Sequence, residues 1–381
     1  VSDPPPDHPE VAIDLARRKD GSTPNVNRAA VAGEEAIRAS LVGAQHAAAP
    51  YLVETRSLFA RMAADRFTRA GLLVLACLVM AAVLAEMLAS DLPIACRWQG
   101  TTYALPNVRR PAALAGLDCQ SMRVHAGPGD WRIEPLVAFG PTTPAEARLA
   151  PPLAAGHPFG TDATGRDVFA RVVYGARTTL GVGMAASAVL VLLGVVLGAL
   201  AGFAGGVIDG LVSRAVESLT AIPTLVLVLV VDAIVAHPTT STLLWTIALT
   251  RWAELARIVR GEVLVALGQD YVTAARALGA SAVRLLGRHV LPNAVAPATV
   301  AASFGVASVV LTEAAVDFLQ VGSPDGTPSW GESMGEARVH PEAWWLILYP
   351  GIALLLTLVA LNLLGEAARD AMDPRLRGRE R

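Results

Sequence analysis

Asp232, Arg251, Glu313 and Asp317 fall inside stretches that otherwise hold mostly Leu, Val and Ala. A charge in such a stretch is costly unless it meets a partner, lines an aqueous path or relays protons or ions. By helical rise, Arg251 lies about 13 Å and Glu313 about 10 Å from the same end of two oppositely running helices. A cross-helix Arg251–Glu313 pair is therefore one expectation. A pair between Arg251 and Glu254, three residues along, is the other. Asp317 shares a face with Glu313 one turn on, and Asp232 sits near the end of its own stretch.

Other chemistry is scarce. The seven histidines are dispersed, and no HExxH, CxxC or GxSxG pattern occurs. Asp162, Arg166 and Asp167 suggest a carboxylate pair at first sight. Their position before Val168, Phe169, Val172 and Val173 fits capping of an interfacial helix better. The only lysine is Lys19, in "ARRKDGST". A phosphate-cradling P-loop needs Lys directly after Gly, so this chain cannot supply that ATPase chemistry. No catalytic, metal or cofactor site is expected. Cys96 and Cys119 share one long loop, where an oxidising compartment permits a bridge or leaves two separate buried thiols.

The elements that hold these residues are membrane spans. The chain has 381 residues, 53% hydrophobic and 17% charged, with mean hydropathy +0.47. That balance points to an integral membrane protein. Net charge is −2, which gives no support to a nucleic-acid partner. Six stretches approach the length a bilayer requires, at 70–90, 178–204, 219–236, 242–259, 296–320 and 345–365. The fourth is weakest, because Arg251, Glu254 and Arg257 interrupt it. The flanks 51–69, 205–218, 257–295 and 366–381 hold 4, 1, 5 and 5 basic residues, against 0 and 1 in 237–241 and 321–344. The positive-inside rule then places both termini in the cytoplasm. The expected fold is an all-α membrane protein with six transmembrane helices. Its parts are a cytoplasmic tail 1–69, a first span 70–90, an extracytoplasmic loop 91–177 with an interfacial helix, a five-helix core 178–366 and a cytoplasmic tail 367–381. Trp344 and Trp345 suit the outer interface.

Within the core, residues 260–295 form a cytoplasmic loop. Its stretch "DYVTAARALGASAVRLLGRHVLPNA" (270–294) predicts a short helix, Tyr271–Leu278, capped by Asp270 and ended by a left-handed Gly279. A second helix over about 281–290 stops before Pro292. Such a segment is either an amphipathic linker on the membrane or a dock for another protein. Gly194, Gly198 and Gly202, spaced by four, offer one helix face for close packing.

The loop resembles the "EAA" loop of ABC importer permeases, through Ala274, Ala275, Gly279, Leu291 and Pro292. Thr273 stands where that family has Glu. "HPFGTDATGRDVFARVVYGARTTLGVG" (157–183), "GTPSWGESM" (326–334) and "LLGEAARDAMDPRLR" (363–377) are similar to the second permease subunit of dipeptide, oligopeptide and nickel importers. The insert 88–106 is similar to a subgroup importing longer peptides and microcin-C-type antibiotics. The resemblance implies the ABC importer permease fold in the inner or plasma membrane, and peptide cargo delivered by an extracytoplasmic substrate-binding protein. It implies a second, related permease and cytoplasmic ATPase subunits that carry ATP and Mg. It also implies that Thr273, Ala274, Ala275, Gly279, Leu291 and Pro292 couple to the ATPase. The alternative is a self-sufficient secondary transporter with Asp232, Glu313 and Asp317 as relay carboxylates, which would need no such dock.

Overall fold

The computed structural model describes residues 65–235, 239–319 and 327–372. The chain divides into two compact units, Val1–Leu52 and Val53–Arg381, and all the described residues belong to the second. The expected tail 1–69 therefore lies outside them except at its last five residues, as does most of the tail 367–381.

Asp65 opens the first helix, α1 (Arg66–Val83), its carboxylate accepting from the Thr68 backbone N–H at 2.8 Å. A short helix, α2 (Ala85–Leu88), follows. The insert after it is not helical throughout. Strands β1 (Ala95–Trp98), β2 (Thr101–Ala104) and β3 (Trp131–Ile133) form an antiparallel sheet in the order β2-β1-β3. This corrects the all-α expectation. Gln99 and Gly100 take φ of +49° and +82°, the two positive values of a two-residue hairpin turn whose twist matches the strands. One sheet face closes over Leu92, Leu114 and Met122 through Cys96 and Trp98. Two short helices, α3 (Pro106–Arg109) and α4 (Cys119–Val124), complete the insert.

The second long helix differs from expectation. A separate interfacial helix followed by a span at 178 is replaced by one helix, α5 (Val168–Ala204), of 37 residues. At 1.5 Å per residue it is about 55 Å long, far more than a bilayer core. Nothing between Arg171 and Thr179 breaks the helical ladder, so the cap at Asp167, which accepts from Ala170 N–H at 2.8 Å, starts the entire element.

Helices α6 (Gly206–Thr220) and α7 (Thr224–Ile234) follow, bent by 88° to one another. The expected continuous span 219–236 is thus broken. Pro223 stands in the break; it lacks an N–H and pushes the residue before it out of helical geometry. Alone, α7 is about 17 Å long, short of a crossing. Next come α8 (Thr240–Leu267) and the loop helices α9 (Asp270–Ala277) and α10 (Ala282–Arg284). A π-helical turn, Leu285–Val290, then runs directly into α11 (Leu291–Phe318). Two helices finish the described chain, α12 (Trp330–Glu336) and α13 (Trp345–Met372).

Among the described residues four helices are long and apolar enough to cross a membrane, α1, α5, the Pro297–Phe318 part of α11, and α13, with a fifth if the bent pair is one span. Helix α8 has the length but carries Arg251, Glu254, Arg257, Arg260 and Glu262. The main apolar core lies between α5, α8 and α11, with Val228, Ile247, Val259 and Val309 fully buried in it. A second cluster joins α1, α5, α11 and α13 around Trp330.

Candidate functional site

The glycine stripe of α5 is where that helix meets α8. A β-carbon on Gly194 would lie 2.8 Å from Cβ of Leu255, and one on Gly202 would lie 2.9 Å from the Arg260 carbonyl oxygen. Gly198 is tighter still against Ala256. All three glycines are buried. Lipid tails are as apolar as leucine, so helices in a bilayer gain from such close van der Waals contact rather than from the hydrophobic effect.

Helix α8 is thereby held at the base of the loop 260–295. Arg260 anchors the junction, donating from Nη2 to Asp209 of α6 at 2.7 Å. The loop has an inner and an outer side. Val272, Leu285, Val290 and Ala294 are buried in the main core, and Ala275 and Leu291 pack partly against it. Asn293 Nδ2 donates to the Tyr271 hydroxyl at 2.9 Å and to the His289 carbonyl at 2.7 Å, tying α9 to the start of α11. On the outer side Thr273, Ala274, Gly279 and Pro292 are exposed. So are Leu278, at 89%, and Val283, at 83%.

The local structure differs from expectation in two details. Gln269, not Asp270, precedes the first helical residue, and it makes no side-chain cap. Asp270 is the first residue of the helix, where a carboxylate still favours the positive end of the dipole. The second helix does not stop before Pro292. Pro292 lies where the π-helical turn passes into α11, with helical backbone on both sides, and its missing N–H leaves one bond of the ladder unmade at that junction. Gly279 does end α9 with φ +83°, and the Ala280 N–H bonds back to the Ala275 carbonyl at 3.1 Å. The result is a loop seated in the core on one side, with Leu278 and Val283 open on the other.

The buried charges are arranged otherwise than a simple cross-helix pair. Arg251 bonds Glu254 at 3.2 Å, the Thr312 hydroxyl at 2.9 Å and the Ser308 carbonyl at 3.3 Å. It does not bond Glu313. Thr312 and Glu313 are consecutive, so they point about 100° apart around α11. Glu313 turns toward α5 instead, accepting from the Thr179 hydroxyl at 3.2 Å. It is fully buried, and its second oxygen has no hydrogen-bond partner. One turn on, Asp317 accepts from the Ser329 hydroxyl at 2.5 Å. Asp232 is buried without a hydrogen bond to either oxygen, within electrostatic reach of Asp317.

Sequence reasoning missed a third cluster. Asp162 receives Thr164 N–H at 2.8 Å, Arg166 N–H at 2.9 Å and Arg166 Nε at 2.6 Å. Arg166 also pairs with Glu336, and the buried Arg171 pairs with Glu332 while donating to the Pro141 carbonyl at 3.2 Å. Trp330 is fully buried and donates Nε1 to the Val172 carbonyl at 2.9 Å. The stretches 157–183 and 327–336 are therefore one packed unit. Burial, and after it the nearby Asp162 charge, pushes the Glu336 carboxyl above its usual range. The alternation of Asp162, Arg166, Asp167 and Arg171, and the acids Glu332 and Glu336 spaced by four, were the available signal. Cys96 and Cys119 are free and buried, so the bridge left open by the sequence is not formed. A buried cysteine serves as a small apolar side chain, and Cys96 does so beneath the sheet.

Residues 194–378 match the family described as binding-protein-dependent transport system inner membrane component. The dipeptide transport system permease protein DppC of Escherichia coli is 41% identical over 249 residues, 63% of this chain and 83% of that one. The di/tripeptide transport system permease protein DppC of Pseudomonas aeruginosa is 38% identical over 219 residues, 57% of this chain and 72% of that one. A crystal structure of an amino acid ABC transporter with histidines overlays with TM-score 0.43 and 20% identity, covering 52% of this chain and 93% of that one. The chain belongs to the family of binding-protein-dependent transport system inner membrane components. It is a multi-pass membrane permease of an ABC importer, and ATP is hydrolysed on separate subunits.

Proposed function

We propose that this chain is one of two permease subunits of an ATP-driven peptide importer, with six spans and both termini in the cytoplasm. The fourth span is α8, whose charges face protein or water rather than lipid. The bent pair α6–α7 supplies the third span. The observation that carries the reading is the loop 270–294. Its inner side is locked into the core by Val272, Leu285 and Val290, while Leu278 and Val283 stand open. A linker lying on lipid would need no such rigid seating. An ATPase subunit docked on Thr273, Ala274 and Gly279, with Ala275 passing the load to the core it packs against, can pull α8 and α11 together, because the loop is continuous with both. Leu291 and Pro292 carry that pull into α11. Peptide cargo comes from the names of the relatives, the dipeptide and di/tripeptide permeases. An extracytoplasmic binding protein delivers it and a second permease completes the path.

The test is reconstitution. With the co-encoded second permease, ATPases and binding protein in liposomes, the chain should support ATP-dependent uptake of a labelled tripeptide. Without the ATPases, uptake should cease. ATP hydrolysis by the isolated chain, or ion-driven uptake by it alone, would defeat the reading and favour the secondary transporter.

A further inference from the structure

Glu254 lies within the expected span 242–259 of α8, about 18 Å from its outer end and about 8 Å from its inner end by helical rise. Its side chain is 51% exposed in the isolated chain. Arg257 is exposed on the same side. A carboxylate at that depth does not face hydrocarbon, so this side of α8 faces water or another protein. Beside it is a cavity of about 70 Å³, bounded by Arg251, Glu254, Ile258, Ala301, Ala302 and Gly305. Its α11 wall is made of the smallest side chains, and a β-carbon on Gly305 would meet nothing within 4 Å. Arg251 is held there, its side chain only 12% exposed, by Thr312 and Ser308 on one side and Glu254 on the other.

We propose that Arg251 is a cargo-binding residue of the translocation path that takes the terminal carboxylate of a peptide. Glu254 is its internal placeholder. The bonds to Thr312 and Ser308 fix the guanidinium, and the Glu254 carboxylate occupies the donors a peptide carboxylate would use. Planar guanidinium and carboxylate match in geometry, so one carboxylate can replace the other without rebuilding the site. The exchange conserves charge. Glu254, once displaced, remains at a half-exposed position where water or the cargo's own ammonium group can meet it. The inference rests on the peptide-importer reading above and adds the contact that the cargo makes.

The experiment uses the complete complex in nanodiscs, with Glu254→Cys in a Cys77→Ala background, since Cys96 and Cys119 are buried. The thiol is labelled with an anionic (sulfonatoethyl) and a cationic (trimethylammonioethyl) methanethiosulfonate. The anion should react about tenfold faster relative to its rate on a free thiol, as a charge-assisted bond to Arg251 sustains. Adding Arg251→Gln should erase that preference, and Arg251→Lys should keep most of it. A tripeptide should slow labelling at concentrations about tenfold lower than its C-terminal amide does. No labelling by either reagent would mean that protein covers this face, and would overturn the proposal. So would an anion preference that survives Arg251→Gln, or equal protection by acid and amide. If labelling behaves as expected while the intact transporter shows no ATP-driven peptide uptake, the carboxylate site stands and the importer reading falls.

Discussion

A β-carbon placed on Gly198 would lie 2.5 Å from the carbonyl oxygen of Ala256. The two backbones touch there, and the contact sets the distance between α5 and α8. Gly198→Val should force the helices apart at the point where α8 is held above the coupling loop. Overpacking of this kind costs about 1–3 kcal/mol, so the detergent-solubilised protein should melt several degrees lower. Gly181→Ala on the same helix is the control. Nothing lies within 4 Å of its β-carbon position, and replacing a helical glycine there should stabilise by up to about 1 kcal/mol. Equal melting of the two variants would show that the stripe does not set the packing.

The loop 270–294, proposed above as the ATPase dock, makes a separate prediction. Gly279→Asp puts a side chain on a residue with φ +83° and a charge beside the exposed Leu278. Ala275→Arg places a charge where the side chain packs partly against the core. Both should leave the chain in the membrane and abolish co-purification of the ATPase. Thr273→Ala should be mild, because its hydroxyl only reaches the Gln269 carbonyl of its own helix, at 3.5 Å. Retention of full ATPase association by Gly279→Asp would make the segment a plain linker.

Much of this arrangement was legible in the residues. The apolar runs located the long helices, the spacing of Gly194, Gly198 and Gly202 gave the packing face, and Gly279 marked a helix end. What escaped depends on contacts between distant segments. No local signal tells that Thr312 rather than Glu313 faces Arg251, since one residue of helical phase decides it. The joining of 157–183 to 327–336 through Arg166 and Arg171 needs the two segments brought together first. The hairpin at Gln99–Gly100 was visible in principle, but the hydropathy of the whole chain argued for helices only.

Glu313 and Arg251 should not rescue one another. Arg251→Glu loses Thr312, Ser308 and Glu254 at once, whereas Glu313→Arg forces a cation against Thr179 and the buried face around Trp330. The double swap should therefore be as impaired in uptake as the worse single variant. Glu313→Gln, which keeps the shape and a bond to Thr179, should fold normally. Partial restoration by the double swap would mean that the two side chains meet in another state of the cycle.

The cysteines can be read directly. Iodoacetamide on the native protein at neutral pH should spare all three, because Cys96 and Cys119 are buried and Cys77, open in the isolated chain, lies within the span α1 where lipid or detergent covers it. Burial pushes the Cys119 thiol up to about 12, which removes the reactive thiolate as well as access. After denaturation without reductant all three should be alkylated. Recovery of a Cys96–Cys119 peptide pair by mass spectrometry would show the bridge instead.

The insert should lose its fold at low pH through one carboxylate. Glu134 follows β3 directly and accepts from Arg123 Nε of α4 at 2.9 Å and from Arg132 Nε at 2.6 Å. Arg123, and after it Arg132, hold its carboxyl at about 2, well below the ordinary glutamate range. An acid whose folded value is depressed binds fewer protons folded than unfolded. Its contribution is therefore complete above the unfolded value and is lost as pH falls through the folded one. The window here runs from about pH 5 down to about 2. Within it the α4–β3 clasp should loosen while the helices, whose spans hold no part of this pair, stay formed. Trp131 begins β3 and is half-exposed, so its fluorescence should shift across that window with little change in far-ultraviolet circular dichroism. Chloride salts should weaken the clasp at pH 7, because its partners are partly exposed. Glu134→Gln should carry the low-pH signal at neutral pH and respond to neither acid nor salt. A titration of Trp131 fluorescence unchanged by Glu134→Gln would assign the transition to another group.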